Sequence, residues 1–501
     1  MATPKQYNPG DGKGGKKPAD GKPQDPAEFM NEIRKVVPED ERDYLAIDMA
    51  GRVICKKKFI LAERPENGKS FLDEFFGKEN QEITKTIVIE GDKKLEREVR
   101  LTVLKAVQCT QDAKQFVLLA FADNQDITFF EQELLSGGTI QTGDAAGSGR
   151  QHGDPKTYGQ SIIGIGVDNG QTLSEADKAN LQAVYAQATQ TSKDRKIAVL
   201  DTGIWFQDGG ADPTGNCGQV GTGWNFTDNN AIPKDDHPDF HGTKICAIIH
   251  SVAPDAQIIP VKVTDRFGVV DYFDTLCGLE YARIHKASVI NASWTFSSAT
   301  RRAGNNQPGP YRLLDEAMTE LENEGIYVIA AAGNAVNDTT LNLSDSPVLF
   351  PVCYPNANII GVTSVITNPG GRSLAVSENF SSTHVDIGVL SNTTDNSSPR
   401  GRRSFVIPVF NTIEPGTSFA TPYVAGRVAN TITNERGQPQ NSQNLLNQLD
   451  GYSISSDVKD RIKGEGQYID LKQKKQKVTV PVLAASILFV LLCIAALLFF
   501  Y

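Results

Sequence analysis

Strand-like and helix-like segments alternate along the chain after residue 160, and this alternation constrains the fold more than any other feature. Helix-like segments at 272–285 and 311–324 separate some of the strands. Alternation of this kind favours a parallel sheet with helices on both faces, so we expect an α/β domain over 160–471. The strand-like runs are short and rich in β-branched residues: 196–200, 258–263, 289–293, 327–331 and 359–363.

Several chemically active residues stand at the ends of these strands or at helix starts. Asp201 closes the strand at 196–200, and Asn334 follows the strand at 327–331. His241 precedes an apolar helical run, and Ser418 lies in a glycine turn that opens a helix. Functional groups of open α/β sheets gather at the carboxyl ends of strands. A helix amino terminus also offers backbone N–H groups to an oxygen that becomes negatively charged.

Aspartate, histidine and serine together supply a chemistry that none of them supplies alone. Serine is a weak nucleophile near neutral pH until a histidine takes its proton, and a carboxylate fixes the histidine tautomer and stabilises the imidazolium. The oxyanion that forms needs preorganised donors. The order Asp201, His241, Ser418 is that of subtilisin and differs from the chymotrypsin and α/β-hydrolase orders.

Four motifs resemble those of the subtilisin-like serine proteases, the subtilases, and the resemblance extends over about 196–471. It implies a subtilisin-like parallel sheet and peptide-bond hydrolysis without a required cofactor. The motifs are 197–204 around the aspartate, 223–243 ending at the histidine motif, 330–334 with the asparagine, and 416–422 around the serine.

The resemblance also implies a role for each matching residue. Ser418 would attack the scissile carbonyl, and His241 would act first as general base and then as general acid. Asp201 would orient His241. The Asn334 amide and the backbone N–H of Ser418 would form the oxyanion hole. An extended peptide would pair with the substrate strand at Ser293, Trp294 and Thr295.

Some positions depart from the usual family pattern. Lys244 and Ala247 replace a histidine and a glycine, Cys246 replaces a small residue, and Thr295 replaces a common glycine on the substrate strand. None of these changes removes a catalytic atom. A catalytically inactive receptor or scaffold built on the subtilase fold is the alternative to an active protease.

A structural calcium ion is a further property that the resemblance allows, with a solvated acidic loop as the competing interpretation. No zinc signature is present, and no other metal is predicted. The candidate carboxylates are Asp208, Asp212, Asp228, Asp235, Asp236 and Asp239.

The chain before the α/β domain divides into three parts. Residues 1–26 are rich in Gly, Lys, Pro and Asp and are predicted to be disordered, without a secretory signal. Residues 27–135 predict a small α+β domain with a strand and its return at 45–48 and 53–55, an alternating strand at 99–103 and a strand at 116–121. Residues 136–159 are predicted to be a flexible linker.

Three interpretations of the small domain stay open. Its opening strands and the segments that follow resemble a PAS sensor domain, while many subtilases carry an inhibitory propeptide at this place. A plain interaction domain is the third possibility. The domain contains no histidine, so the sequence excludes a histidine-ligated haem there.

The carboxyl-terminal segment predicts a membrane anchor. Residues 478–501 carry no charge, and 24 residues in a helix match a hydrocarbon core of about 30 Å. The basic flank at 472–477 predicts a cytoplasmic catalytic domain through the positive-inside rule. The seven scattered cysteines agree with free thiols in a reducing compartment.

The sequence therefore predicts a membrane-anchored serine endopeptidase that acts on proteins or peptides. The net charge of −10, without an extended basic face, argues against a nucleic-acid partner. No oligomeric state is predicted.

Overall fold

The computed structural model describes most of the residues from 195 to 472 and, before them, six strands and two isolated helical positions at 176 and 179. Between 195 and 472 the undescribed residues are 206–222, 229, 265–268, 271, 298–310, 335–339, 346–348, 369, 375–377, 392–404, 411 and 433–441. The predicted disordered segment 1–26, the predicted strand at 116–121 and the predicted anchor at 478–501 lie outside the described residues.

Five strands near the amino terminus form one antiparallel sheet. Its order is β1-β2-β4-β3, with β5 also paired to β2. Leu45 lies opposite Cys55, so the strand and its return that the sequence predicts here are confirmed, as is the alternating strand within β4. The choice between a PAS-like and a propeptide-like domain stays a prediction. The strands are β1 (Leu45–Ile47), β2 (Val53–Glu63), β3 (Gln81–Ile89), β4 (Arg97–Leu104) and β5 (Ile127–Leu134).

A ten-stranded sheet forms the centre of the α/β domain, and all of its strands except β16 and β20 pair in parallel. The order is β20-β21-β17-β15-β13-β11-β7-β9-β8, with β16 beside β15. Its strands are β7 (Lys196–Asp201), β8 (Trp224–Asn225), β9 (Gln257–Lys262), β11 (Val289–Ala292), β13 (Tyr327–Ala331), β15 (Ile359–Asn368), β16 (Gly371–Leu374), β17 (Ile387–Leu390), β20 (Tyr452–Ile454) and β21 (Gln467–Asp470). The five predicted strands are all present.

Helices cover both faces of this sheet, as the alternation predicts. The longer ones are α1 (His241–Val252), α2 (Tyr272–Ile284), α3 (Arg312–Asn323) and α4 (Thr417–Thr431), followed by the short α5 (Ser442–Leu446) and α6 (Lys463–Gly466). The helices predicted at 272–285 and 311–324 correspond to α2 and α3.

The buried strand β7 shows how two core layers arise from one sheet. Ile197 and Val199 pack in the layer that contains α1 and α4, whereas Ala198 and Leu200 pack in the layer that contains α2 and α3. Successive side chains of a strand point to opposite faces, so a strand covered on both sides is apolar throughout. Lys196 begins β7 and is only partly buried, whereas Asp201, the last residue of the strand, is ionisable and fully buried.

A smaller antiparallel sheet lies beside the main one, in the order β10-β6-β12-β14. Its strands are β6 (Gly138–Ile140), β10 (Val269–Val270), β12 (Trp294–Ser297) and β14 (Leu349–Phe350). A two-stranded hairpin, β18 (Phe405–Val406) with β19 (Ile413–Glu414), precedes α4.

The flexible linker predicted over 136–159 differs from the structure at its start. Gly138–Ile140 form β6, which pairs antiparallel with β10 on one side and with β12 on the other. The backbone N–H and C=O groups of β10 and β12 pair with β6, although both strands are more than a hundred residues from it in sequence. They therefore make a strand of a segment whose composition is typical of a loop. The rest of 136–159 lies outside the described residues.

Among the residues that the structure describes, no helix has both the length and the apolar composition needed to cross a bilayer.

Candidate active site

Asp201 and His241 form a buried hydrogen-bonded pair. Nδ1 of His241 lies 2.8 Å from Oδ1 of Asp201, and neither side chain is exposed. A carboxylate only accepts hydrogen bonds, so in the neutral imidazole Nδ1 carries the proton. Nε2 is left with its lone pair and, in the described part of the chain, has no hydrogen-bond partner. The pair therefore presents a proton acceptor on the far side of the ring.

The end of β7 and the start of α1 are joined so that this pair is fixed. The backbone N–H of Gly242 donates to Oγ1 of Thr202 at 2.8 Å, and the N–H of Thr202 donates to Asp201 at 2.8 Å. A Cβ on Gly242 would collide with the carbonyl oxygen of Gly203. Glycine after the histidine is thus required by the close approach of two backbones.

Asp235 holds the first turn of α1 from the other side. Its Oδ2 accepts from the backbone N–H of Thr243 at 3.0 Å and from the Thr243 hydroxyl at 2.6 Å. The helix has no side-chain N-cap of its own, so this carboxylate satisfies one of its free N–H groups. Burial raises the pKa of Asp235 to about 6, even though Lys262 and Thr243 act in the opposite direction.

The surroundings of His241 favour its protonated form. Burial alone lowers its pKa, but the charge of Asp201 and the hydrogen bond to it outweigh burial, and Asp239 and Asp235 add to their effect. The pKa of His241 is therefore raised above its ordinary value. A histidine with a raised pKa and a free Nε2 is suited to take a proton and hold it for a moment.

Ser418 is the second residue of α4 and is 1% exposed. Its hydroxyl donates to the backbone oxygen of Ser293 at 3.2 Å, not to Nε2 of His241. The two residues are nevertheless close neighbours, because the ring of Phe419, the next residue, lies 5.2 Å from the imidazole centroid. Rotation about χ1 of Ser418 is the movement that redirects its Oγ, and unliganded sites commonly show such loose hydrogen bonds.

Asn334 follows β13 and reaches the segment that carries Ser418. Its Oδ1 accepts from the backbone N–H of Thr417 at 2.9 Å and from the Thr417 hydroxyl at 3.1 Å. Gly416 has φ 117°, and a Cβ there would lie 2.9 Å from Nδ2 of Asn334. Because Oδ1 is held by Thr417, the position of the amide NH₂ is also fixed, beside the turn that opens α4.

The predicted substrate strand lies next to the serine. Trp294 and Thr295 begin β12, and the hydroxyl of Ser293 donates to the backbone oxygen of Ser418 at 2.9 Å. All three side chains are buried. The backbone of β12 at Trp294 and Thr295 pairs with Ile140 and Thr139 of β6. The predicted site residues thus gather near the start of α4. The strand β6 of the same chain lies along the substrate strand.

Comparison with known protein families agrees with this geometry. The model of the subtilase family matches residues 192–454, which is more than half of the chain. The chain belongs to the subtilase family. The resemblance that the motifs predict is confirmed, and the chain is by class a subtilisin-like serine endopeptidase.

Two curated subtilases illustrate the relationship. Thermitase of Thermoactinomyces vulgaris is 29% identical over 298 residues, which are 58% of this chain and 89% of thermitase. The thermophilic serine proteinase of Bacillus sp. strain AK1 is 28% identical over 305 residues, 58% of this chain and 62% of the relative.

A solved structure supports the fold. The epidermin leader peptide processing serine protease of Staphylococcus aureus superposes with a TM-score of 0.51 and 14% identity. The superposition covers 84% of this chain and 99% of the other. It shows a shared subtilase architecture, with a mostly parallel sheet between helices.

The acidic residues considered for calcium have other partners in this subtilase. Asp235 binds Thr243, Asp236 binds Lys262, Asp239 binds Lys244, and Asp228 accepts from Asn225. Asp208 and Asp212 lie outside the described residues. No group of three or more histidine, cysteine or acidic side chains in the described residues is arranged to hold a metal ion. Calcium binding therefore stays a prediction for this chain.

Two buried groups near the site were not predicted. Glu414 pairs with Lys244, and Glu378 lies beside the serine segment, where its carboxyl accepts a backbone hydrogen bond from Gly416. Burial raises the pKa of Glu378 to about 7. The sequence carried a signal for Glu414, because its partner Lys244 departs from the family pattern. Glu378 has no comparable signal, since only the fold brings it to Gly416.

Proposed function

We propose that the chain is a membrane-anchored endopeptidase that cleaves protein or peptide substrates through an acyl-enzyme on Ser418. The observation that carries the proposal is the buried pair of Asp201 and His241, whose free Nε2 lies beside the helix start that bears the serine. No cofactor is required, because every catalytic part is supplied by the chain.

Each step of the proposed reaction uses one of these groups. The Oγ–H proton of Ser418 passes to Nε2 of His241 as Oγ bonds to the scissile carbonyl carbon. The oxyanion accepts hydrogen bonds from the Asn334 amide and from the backbone N–H of Ser418. His241 then protonates the leaving amine, and the acyl ester remains. Water then attacks the ester carbon and gives a proton to His241. The bond from that carbon to Oγ breaks, His241 returns the proton to Oγ, and the carboxylic acid product leaves.

Fluorophosphonate labelling tests this mechanism. A fluorophosphonate reporter should label the wild-type chain and fail to label Ser418→Ala, and casein hydrolysis should be lost in Ser418→Ala and in His241→Ala. Ser382→Ala is a matched control, because Ser382 is exposed and belongs to no part of the site. A wild-type chain that is neither labelled nor able to hydrolyse casein would favour the inactive scaffold instead.

Regulation by the amino-terminal region is a second part of the proposal. The strand β6 (Gly138–Ile140) takes the place along Trp294 and Thr295 that an extended substrate would need. Its register brings its carboxyl end towards Ser293, whose carbonyl accepts from the Ser418 hydroxyl. We infer that β6 competes with substrate for the strand edges of β10 and β12, and this favours the propeptide-like interpretation of the preceding domain.

Proline at the centre of β6 tests the regulation. Thr139 lies opposite Thr295 on one side and Val269 on the other. Thr139→Pro removes its N–H and should weaken the pairing, so the initial rate of peptide hydrolysis should rise. Thr139→Ala keeps the N–H and is the matched control. Equal rates for the wild type and both variants would contradict inhibition by β6.

Attachment to a membrane through residues 478–501 is the third part. It is supported by the charge-free run of 24 residues and by the lysines that precede it at 472–477. This arrangement would keep the catalytic domain on the cytoplasmic face, where the substrates would be cytoplasmic or membrane-bound polypeptides.

A further inference from the structure

Lys244 is a buried lysine on α1, 1% exposed, one helical turn after His241. Its Nζ lies 2.7 Å from Oδ1 of Asp239 and 2.6 Å from Oε1 of Glu414. The bond to Asp239 is local, because Asp239 lies just before α1. Glu414 ends β19 and is 170 residues away in sequence. The second bond therefore joins the helix that begins with His241 to the segment that leads to Ser418.

The short chain lengths on both sides make this bond sensitive to the active-site geometry. Glu414 is separated from Ser418 by three residues, and Lys244 from His241 by two residues of one helix. An extended chain spans at most about 3.6 Å per residue, and a helix is rigid over one turn. A change in the separation of β19 and α1 is thus passed on to the distance between Ser418 and His241.

Lys244, Asp239 and Glu414 form a buried charge cluster in which each ion needs its partners. Burial raises the pKa of Glu414, while Lys244 acts in the opposite direction and Asp239 adds to the increase. Burial alone would lower the pKa of Lys244, but its two carboxylate partners raise it. Buried ions are stable only when they are paired with good geometry, so loss of the ammonium would drive the two carboxylates apart.

We propose that Lys244 and Glu414 form a clamp that fixes the serine segment against the histidine helix, and that both are positioning residues for proton transfer from Ser418 to His241. The inference rests on the proposed function, since it concerns the same reaction. Glutamate at the end of β19 and lysine in the first turn after the histidine are the features of this chain that supply the clamp.

Four variants test the clamp: Lys244→Met, Lys244→Arg, Glu414→Gln and the double variant Lys244→Met/Glu414→Gln. Lys244→Met should lower kcat by about 10- to 100-fold, since small displacements of reacting groups have effects of this size. KM should stay within about two-fold, because β10 and β12 are untouched. Lys244→Arg should retain most of the activity. The double variant should lose no more than the worse single variant, since the two residues act as a unit.

The pH profile separates this role from a purely structural one. Glu414→Gln removes a carboxylate that interacts with His241, so the acidic limb of kcat/KM should move to lower pH. Loss of folded protein alone would reduce the amount of active enzyme without moving that limb. In the described part of the chain, the titratable groups that interact electrostatically with His241 are Asp201, Asp235, Asp239, Glu414 and His237. Lys244 is linked to them through Asp239 and Glu414.

Lys463→Met is the matched control, because Lys463 pairs with buried Asp386 in a part of the fold remote from the site. Wild-type kcat in Lys244→Met, or losses that multiply in the double variant, would overturn the clamp. If Lys244→Met does not fold, the kcat/KM profile of Glu414→Gln is the test. An acidic limb at the same pH as in the wild type would overturn the proposal. Failure of the proposed function is distinct, since it would show as a wild-type chain that is inactive, or whose activity Ser418→Ala does not remove.

Discussion

The side chain of Asn334 is fixed by hydrogen bonds from the segment that carries Ser418. Thr417 donates to its Oδ1 twice, through the backbone N–H and the hydroxyl. The amide is therefore oriented before substrate arrives, and preorganised donors of this kind stabilise the transition state without a reorganisation cost.

Replacement of Asn334 by alanine should consequently lower kcat far more than it changes KM. In subtilisin itself, loss of one oxyanion donor lowers kcat by about 10²- to 10³-fold, and we expect a similar loss here. Steady-state kinetics on a peptide anilide would measure both constants. Asn356→Ala is the control, because the Asn356 amide donates to Thr319 and Glu322 and to no residue of the predicted site. A loss confined to KM would argue against an oxyanion role.

The raised pKa of His241 gives a prediction for the pH dependence. Only the neutral imidazole accepts the serine proton, so kcat/KM should rise as the pH increases through the pKa of His241, which lies above the ordinary value of about 6.5. Asp235 is one of the carboxylates that raise this pKa, so in Asp235→Asn the rise of kcat/KM should occur at lower pH. The pH profiles of the two enzymes would check the sign, and a shift to higher pH would contradict it.

At the residue scale, the sequence predicted which side chains meet but not how they are oriented. The positions of Asp201, His241 and Ser418 follow from motifs that place each one at a strand end or a helix start. The hydrogen bond from Ser418 to Ser293 is set by a rotamer, and no motif encodes a rotamer. Glu378 was not predicted, because only the folded chain brings it beside Gly416.

At the scale of elements, the turn between β19 and α4 depends on contacts from neighbouring segments. Gly416 at φ 117° allows the turn, and Glu378, 1% exposed, accepts a hydrogen bond from its backbone. The pKa of Glu378 is about 7 in the folded chain and 4.5 without the fold. The carboxyl costs nothing below about pH 4.5, where it is protonated in both states. Its burial destabilises the fold increasingly as the pH rises to about 7.

Glu378→Gln should therefore stabilise the protein at about pH 8 and give no such gain near pH 4, where Glu378 is already protonated. A pKa difference of this size is equivalent to roughly 3 kcal/mol, and we expect a gain of about 1–3 kcal/mol because the new amide also needs a partner. Urea denaturation in a Ser418→Ala background avoids self-digestion. Exposed Glu465→Gln is the control. An equal effect at both pH values would contradict the burial argument.

The strands of the main sheet and the helices that cover it were largely predictable from the sequence, whereas β6 was not. Residues 197–200 and 327–331 are apolar throughout, which is typical of strands that are buried on both faces. Gly138–Ile140 lie in a Gly- and Thr-rich segment, and they become a strand only because β10 and β12 offer backbone partners. Local composition cannot report pairing with strands more than a hundred residues away.

At the scale of the whole molecule, the catalytic groups and the predicted anchor occupy separate parts of the chain. The site lies between Asp201 and Ser418, and every strand of the main sheet ends by Asp470. Residues 478–501 follow Asp470 in the sequence and lie outside the described residues. Catalysis and membrane attachment should therefore be separable by truncation.

A chain that ends at residue 477 should be recovered in the soluble fraction, whereas the full chain should sediment with membranes and need detergent for release. In a helix the 24 residues of the tail extend about 36 Å, enough for a hydrocarbon core of about 30 Å. Sodium carbonate extraction followed by immunoblotting would measure the distribution. Removal of 1–26 is the control and should leave the chain in the membrane. Both truncated chains should keep the wild-type kcat in detergent, because neither cut reaches the site. A chain without 478–501 that still sediments with membranes would show that another surface holds it there.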